Sequence, residues 1–195
     1  MSLSRQQFTL LGIFALFLGP VILVMLMRSS WWQYQPSGLK NHGQLLQPPV
    51  HLPLNETEAI DRKWVILYRL EQACDQDCIE QVTSLRQIHR AAGRKRQHLA
   101  VVLLSKNVPE SAQRLKLEAI YPNFIWINDA GGTAMATLDA INLGGRQESG
   151  QSNSFDTYIL DPMLNVILAY GADADPNDIH KDLKRLLKWS DQENS

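Results

Sequence analysis

Residues 8–27 read FTLLGIFALFLGPVILVMLM, twenty positions with no charged side chain. A helix over that run is roughly 30 Å long, the thickness of a bilayer's hydrocarbon core, where each backbone group must be satisfied within its own segment. The run is therefore predicted to be a single membrane-spanning helix. Arg5 and Arg28 bracket it, and Trp31, Trp32 and Tyr34 follow at the depth where aromatic rings sit among headgroups. The alternative is a cleaved export signal. Such a signal has a shorter apolar region and a small-x-small cleavage site, and MLMRSSWW offers a poor one. Charge barely orients the helix, because Arg5 and the α-amino group stand against Arg28 and Lys40. A short segment ahead of one anchor commonly leaves the following domain outside the cytoplasm.

With 195 residues in all, the remainder suits one domain of about 120–150 residues. Hydrophobic residues make up 45% and charged residues 20%, which excludes a disordered tail and a polytopic membrane protein. A net charge of −1 supplies no general basic field, so no nucleic-acid partner is expected. The predicted organisation is an anchor with interfacial aromatics over 1–34, a proline-rich tether over 35–60, an α/β domain over 61–190 and an exposed tail over 191–195. Within the tether, Pro36, Pro48, Pro49 and Pro53 argue against regular structure.

Beyond the tether the apolar pattern changes. Residues 64–68, WVILY, read as a buried strand. From 78 to 92 the apolar residues Ile79, Val82, Leu85, Ile88 and Ala92 recur at three and four, one face of a helix that Gly93 stops. A strand over 99–104, a helix over 109–120 and a third apolar run over 124–127 follow. A short helix over 131–141 and a polar loop over 144–154 come next. Two strands, 157–160 and 166–170, flank DPMLN, an Asp-Pro turn that makes a hairpin, and a helix over 176–189 closes the chain. Strands alternating with helices, then a terminal hairpin, predict a thioredoxin-like α/β layout.

Only two cysteines exist, Cys74 and Cys78, separated by Asp75-Gln76-Asp77 at the junction of first strand and first helix. Unpaired N–H groups and the helix dipole stabilise a thiolate there. On a helix, a spacing of four puts both sulfurs on one face, where they can close a disulfide or bind a soft ion such as Cu(I). A stabilising disulfide or a pair of inert thiols is the alternative. Asp75 and Asp77 read as helix-start acids whose charges oppose a thiolate and attract a cation. None of His42, His51, His89, His98 and His180 has metal-ligand spacing with another. His42 and His51 fall in the tether, either solvated or carried near the thiols on a flexible arm. The run Gly93-Arg-Lys-Arg-Gln-His98 is either a solvated helix end or a contact for anionic headgroups or an acidic partner.

Residues 42–49 (HGQLLQPP), 64–78 (WVILYRLEQACDQDC), 84–94 (SLRQIHRAAGR) and 158–171 (YILDPMLNVILAYG) together resemble the Sco/SenC group of thioredoxin-like, membrane-anchored copper chaperones. They look still more like a divergent proteobacterial relative associated with cytochrome c oxidase biogenesis. The resemblance covers about residues 40–190 and the anchor. It implies a single-pass protein of the bacterial inner membrane with a periplasmic domain, and a respiratory oxidase subunit or another assembly factor as partner. It implies copper as the ligand, with Cys74 and Cys78 as its thiolates. The family's histidine precedes the final hairpin in a His-Ser-x-x-x-Tyr context; Asn153-Ser154-Phe-Asp-Thr-Tyr158 stands there instead. An amide is a poor ligand for soft copper. The thioredoxin Cys-x-x-Cys and the proline just before Tyr158 are also absent. Three functions follow: an oxidase assembly factor handling copper or thiols, a membrane-bound thiol-disulfide oxidoreductase, or a non-catalytic interaction module.

Overall fold

A computed structural model describes residues 7, 14, 16–20, 25, 41–54, 58–70, 74–108, 110–149 and 154–193. The chain divides into two units, Met1–Lys40 and Asn41–Ser195. In the first, the described residues are helical, and Phe14, Leu16, Phe17 and Met25 are exposed. No helix among the described residues is long and apolar enough to cross a membrane. The remainder of the predicted span 8–27 and the aromatics at 31, 32 and 34 lie outside the described residues.

The second unit is built on one six-stranded sheet. In chain order its elements are β1 (Gln44–His51), β2 (Trp64–Leu70), α1 (Gln76–Ala91), a 3-10 turn (Gly93–His98), β3 (Leu99–Ser105), α2 (Ser111–Ile120), β4 (Ile125–Asn128), α3 (Thr133–Ser149), β5 (Phe155–Leu160), β6 (Asn165–Gly171) and α4 (Pro176–Glu193). The strand order is β1-β6-β5-β2-β3-β4. β2, β3 and β4 are parallel; β5, β6 and β1 add antiparallel pairs. The two β-α-β crossovers put α1 and α2 on the same face, as right-handed connections require. All seven residues of β3, LAVVLLS, are buried. A strand covered on both faces reads as a continuous apolar run, not an alternating one.

Two cores result. On one face Ile66, Tyr68, Val101 and Leu103 of the sheet meet Val82, Leu85 and Ile88 of α1, Leu117 of α2 and Ile179, Leu183 and Leu187 of α4. On the other, Val65, Leu67, Val102 and Leu104 meet Ala134, Met135 and Leu138 of α3, with Leu52, Leu54 and Ile60 from the β1–β2 connection. The predicted hairpin forms, and Asp161 Oδ1 closes it by accepting from Met163 N and Asn165 N at 2.9 and 2.8 Å.

Two expectations change. Part of the stretch read as an irregular tether is strand β1, which pairs with β6 through Gln44↔Ala169, Leu45↔Leu168, Val50↔Val166 and His51↔Asn165. Its register is broken between Leu45 and Val50, the interval that holds Pro48 and Pro49. An edge strand uses only one side of its backbone, so prolines there forfeit little pairing. The predicted helix over 131–141 and loop over 144–154 give way to α3, which runs to Ser149. A glycine lowers helix propensity by only about 1 kcal/mol, and α3 is already docked through Leu138 and Asn142. Asn142 Oδ1 accepts from Phe155 N at 3.0 Å and from Tyr158 Oη at 3.2 Å, tying the helix to β5.

The start of β1 is fastened by one carboxylate. Asp182 of α4, 1% exposed, accepts from His42 N (2.7 Å), Gly43 N (3.1 Å) and Tyr170 Oη (3.1 Å), with Arg185 Nη1 at 3.4 Å. Gly43 lies flat on the Tyr170 ring; a Cβ there would stand 2.5 Å from it. Burial and the neighbouring carboxylate of Asp182 push the Tyr170 hydroxyl's pKa up, so it stays a donor. Removing a buried charged acceptor leaves several donors unsatisfied. Asp182→Ala is expected to lower the unfolding free energy by about 3 kcal/mol, measured by urea denaturation, and to accelerate amide exchange first at His42 and Gly43.

Candidate functional site

β2 ends at Leu70, and the described chain resumes at Cys74, one residue before the N-cap of α1. Asp75 is that cap: extended at φ −80° and ψ −168°, its Oδ1 accepts from Cys78 N at 3.0 Å, and its carbonyl accepts from Ile79 N at 3.1 Å. An acidic cap is among the most stabilising. It also fixes where the helix starts, and so holds Cys78 in the first turn with Cys74 facing it. The two sulfurs are bonded as a disulfide, with Cα atoms 5.2 Å apart. The sulfurs converge, but not on a helical face: Cys74 lies outside α1, and the extended Asp75 cap turns it onto Cys78.

Both cysteines are half-buried and pack against the α1–α2–α4 core. Cys74 also opens on a small cleft of about 180 Å³ between α1 and α2, bordered by Ile79, Glu110, Gln113 and Lys116. Asp75, Gln76 and Asp77 are exposed around it. The local field is negative. Tyr68, on β2 below the pair, has its hydroxyl's pKa pushed up to about 12, first by burial and then by the carboxylates of Asp156, Asp75 and Asp77. Thr157, where thioredoxins hold a proline, pairs with Tyr68 across β2 and β5. Tyr68, Glu110 and Lys116 were invisible to sequence reading as parts of one site. They come from a strand and a separate helix, joined to the cysteines only by the crossover.

His42 and His89 are engaged by other partners. His89 is buried near the C-terminal end of α1, its Nε2 donating to Leu99 O at 3.2 Å and its Nδ1 receiving the Tyr121 hydroxyl at 2.9 Å. His42, expected on a flexible arm, is held instead by Asp182 through Nδ1 at 3.1 Å and approaches Asp178 through Nε2 at 3.5 Å. Asn153, the residue at the family's histidine position, lies outside the described residues. Among the described residues no group of three or more His, Cys, Asp or Glu side chains is arranged to hold a metal ion.

The site and fold together define a thioredoxin-like protein with a disulfide-bonded cysteine pair at the start of its first helix. More particularly, the chain belongs to the family described as transmembrane-like, thioredoxin-like, C-terminal domain, which matches residues 64–190. Yeast Sco1 with copper bound has a similar structure, with a TM-score of 0.50 at 15% identity, covering 75% of this chain and 92% of that one. Arabidopsis thaliana ScoI with copper bound gives a TM-score of 0.50 at 15% identity, covering 75% of this chain and 98% of the other. At such low identity the likeness is one of fold, and it bears out the fold that the resemblance implies. No match is found among curated protein sequences.

Burial lowers the pKa of His89, outweighing the carbonyl of Leu99. The folded state then binds fewer protons than the unfolded state between that lowered value and the ordinary 6.5. The contribution of neutral His89 is present in full above the unfolded value and is lost as pH falls through the folded one. Urea unfolding is expected to give a stability that declines from pH 7 to about pH 5. His89→Leu is expected to flatten that slope while lowering stability overall.

Proposed function

We propose that this chain is a membrane-anchored accessory factor of respiratory oxidase assembly whose Cys74–Cys78 pair exchanges a disulfide with a partner's cysteines. The observation that carries the reading is the half-buried disulfide across the first turn of α1, with one sulfur opening on a cleft. A partner thiolate attacking one sulfur forms a mixed disulfide and expels the other as a thiolate beside the helix N-terminus. A second partner thiolate then releases the reduced pair, so the partner loses two electrons and this chain gains them. With the pair reduced beforehand, the same steps run in reverse and reduce a partner disulfide. The predicted anchor over 8–27 would keep the domain at the bacterial inner membrane, on its periplasmic side, where disulfides persist.

Copper is the second reading, as cargo. Reduced Cys74 and Cys78 present two soft thiolates across the start of α1, a fit for Cu(I). The disulfide form presents none. His42 and His89 are engaged elsewhere, so the described residues offer a two-thiolate site without an imidazole. The yeast and Arabidopsis structures hold copper in the same fold, which supports keeping this reading beside the first.

Two measurements test the site. A redox titration of the pair is expected to give a midpoint between roughly −120 and −270 mV, the range of catalytic dithiols. A pair still oxidised well below about −300 mV is a structural staple, and the exchange reading fails. Asp75→Asn with Asp77→Asn removes charge that opposes a thiolate while Asn keeps the cap. That variant is expected to raise the midpoint by about 10–30 mV. For the cargo reading, Cu(I) competition against a chelator is expected to show binding only after reduction, and none in Cys74→Ser/Cys78→Ser.

A further inference from the structure

Charge is distributed unevenly along the two helices that flank the disulfide. α1 and α4 run side by side in the same direction. At one end Gln81 Nε2 donates to Ala172 O at 2.5 Å, just ahead of α4; at the other Lys95 Nζ donates to Leu187 O at 3.1 Å. The helix starts carry exposed Asp75, Asp77, Glu80, Asp173 and Asp175. The far ends carry cations. Between the end of α1 and α4 lies a hollow of about 360 Å³ with a floor of Ala92, Leu183 and Leu187 and a rim of Arg94, Lys184 and Lys188. Arg94 also borders a larger, open hollow of about 1030 Å³ beneath the sheet, joined there by Lys63 and Arg96. Neither lining contains a carboxylate. Arg94, Arg96, Lys184 and Lys188 form no ion pair among the described residues. Cations near a helix C-terminus complement its dipole. That accounts for one or two of them, but not for a second hollow extending the same charge under the sheet.

We propose that this cationic end is a docking surface for anionic lipid headgroups of the membrane that anchors the chain. The inference rests on the anchor reading above and adds an orientation to it. Two observations choose lipid as the occupant. The rim is cationic over an apolar floor, the chemistry of a phosphate headgroup on a glycerol-acyl stem, with long Lys and Arg stems able to lie along the apolar part. Only residues 28–40 separate the predicted anchor from the domain, a span under about 47 Å even when fully extended. The arriving chain is fastened at His42 to Asp182 and beside Asp178, in the first half of α4, so it is the length of this span that lets either end of the domain reach the headgroups. With this end on the headgroups, the disulfide stands at the opposite end of α1, about 22 Å away along the helix axis. It then faces the aqueous side, where a partner's extramembrane cysteines are reached.

The test uses the full chain in nanodiscs of phosphatidylcholine alone or with about one-third phosphatidylglycerol, and reads lysine acetylation rates by mass spectrometry. Lys184 and Lys188 are expected to react at least about threefold more slowly in the anionic discs at low salt. Lys106 and Lys116, near the disulfide end, are expected to react equally in both. High salt, or Arg94→Gln with Arg96→Gln, is expected to restore most of the reactivity; both positions are exposed, so the fold tolerates the change. Equal rates in the two discs overturn the proposal. So does protection that appears only when an acidic protein is added, which assigns the surface to a protein partner. A chain that leaves the discs under alkaline wash overturns the anchor reading instead. The same footprint on preformed anionic vesicles then decides the cationic surface separately.

Discussion

Strand β2 is hydrogen-bonded on both sides, parallel to β3 and antiparallel to β5, and its faces are covered by α1 and α3. A central strand of this kind cannot shift by one residue without turning its whole buried set to the opposite face. Its C-terminal end is therefore a fixed point in space, separated from Cys74 by three residues of sequence. The Asp75 cap then sets where α1 begins. The disulfide lies where these two constraints meet, and the cleft at Cys74 exists because the same crossover rule lays α2 against α1.

Opposing fields act at that point. A helix N-terminus favours a nearby anion by about 0.3–1 kcal/mol at an exposed site. Here the first turn already spends one N–H on the Asp75 carboxylate, and Asp77 adds a second negative charge. The exposed carboxylates act through water, where each contributes less than about 1 kcal/mol. The two effects are of similar size, so the thiolate gains little net help from the helix. The site is therefore not built around a permanently ionised sulfur. The same balance leaves the reduced pair open to a cation as well as to a partner's disulfide.

At the opposite end the sheet is closed by neutral and cationic groups. His89 is neutralised by burial and spans Leu99 and Tyr121, while the 3-10 turn after Gly93 carries Arg94, Lys95 and Arg96 outward. Gly93 reaches φ +59°, a left-handed conformation that ends α1 and lets the basic turn fold back along the sheet. The domain is thus polar along α1: an acidic end holding the sulfurs and a basic end beyond the helix. A net charge of −1 conceals this separation.

Much of this is written locally. Alternating and continuous apolar runs depend on neighbours a few residues apart, so β2, β3, the Asp161-Pro162 hairpin and the helical face from Ile79 to Ala92 were legible in the chain itself. So was the meeting of Cys74 and Cys78, four residues apart at a helix start, although it is the Asp75 cap, not a helical face, that joins them. What sequence reading missed depends on distant partners. Pro48 and Pro49 argue against a strand until β6 supplies an edge on which their missing N–H groups are not needed. Asp182 looks like a surface acid of an amphipathic helix until the backbone of His42, 140 positions earlier, folds onto it. The cleft at Cys74 and the gathering of cations beneath the sheet likewise join segments that sequence proximity cannot relate. Local pattern determined the elements and the cysteine pair. Only long-range packing, which satisfies buried backbone and carboxylate groups across the whole domain, decided what surrounds them.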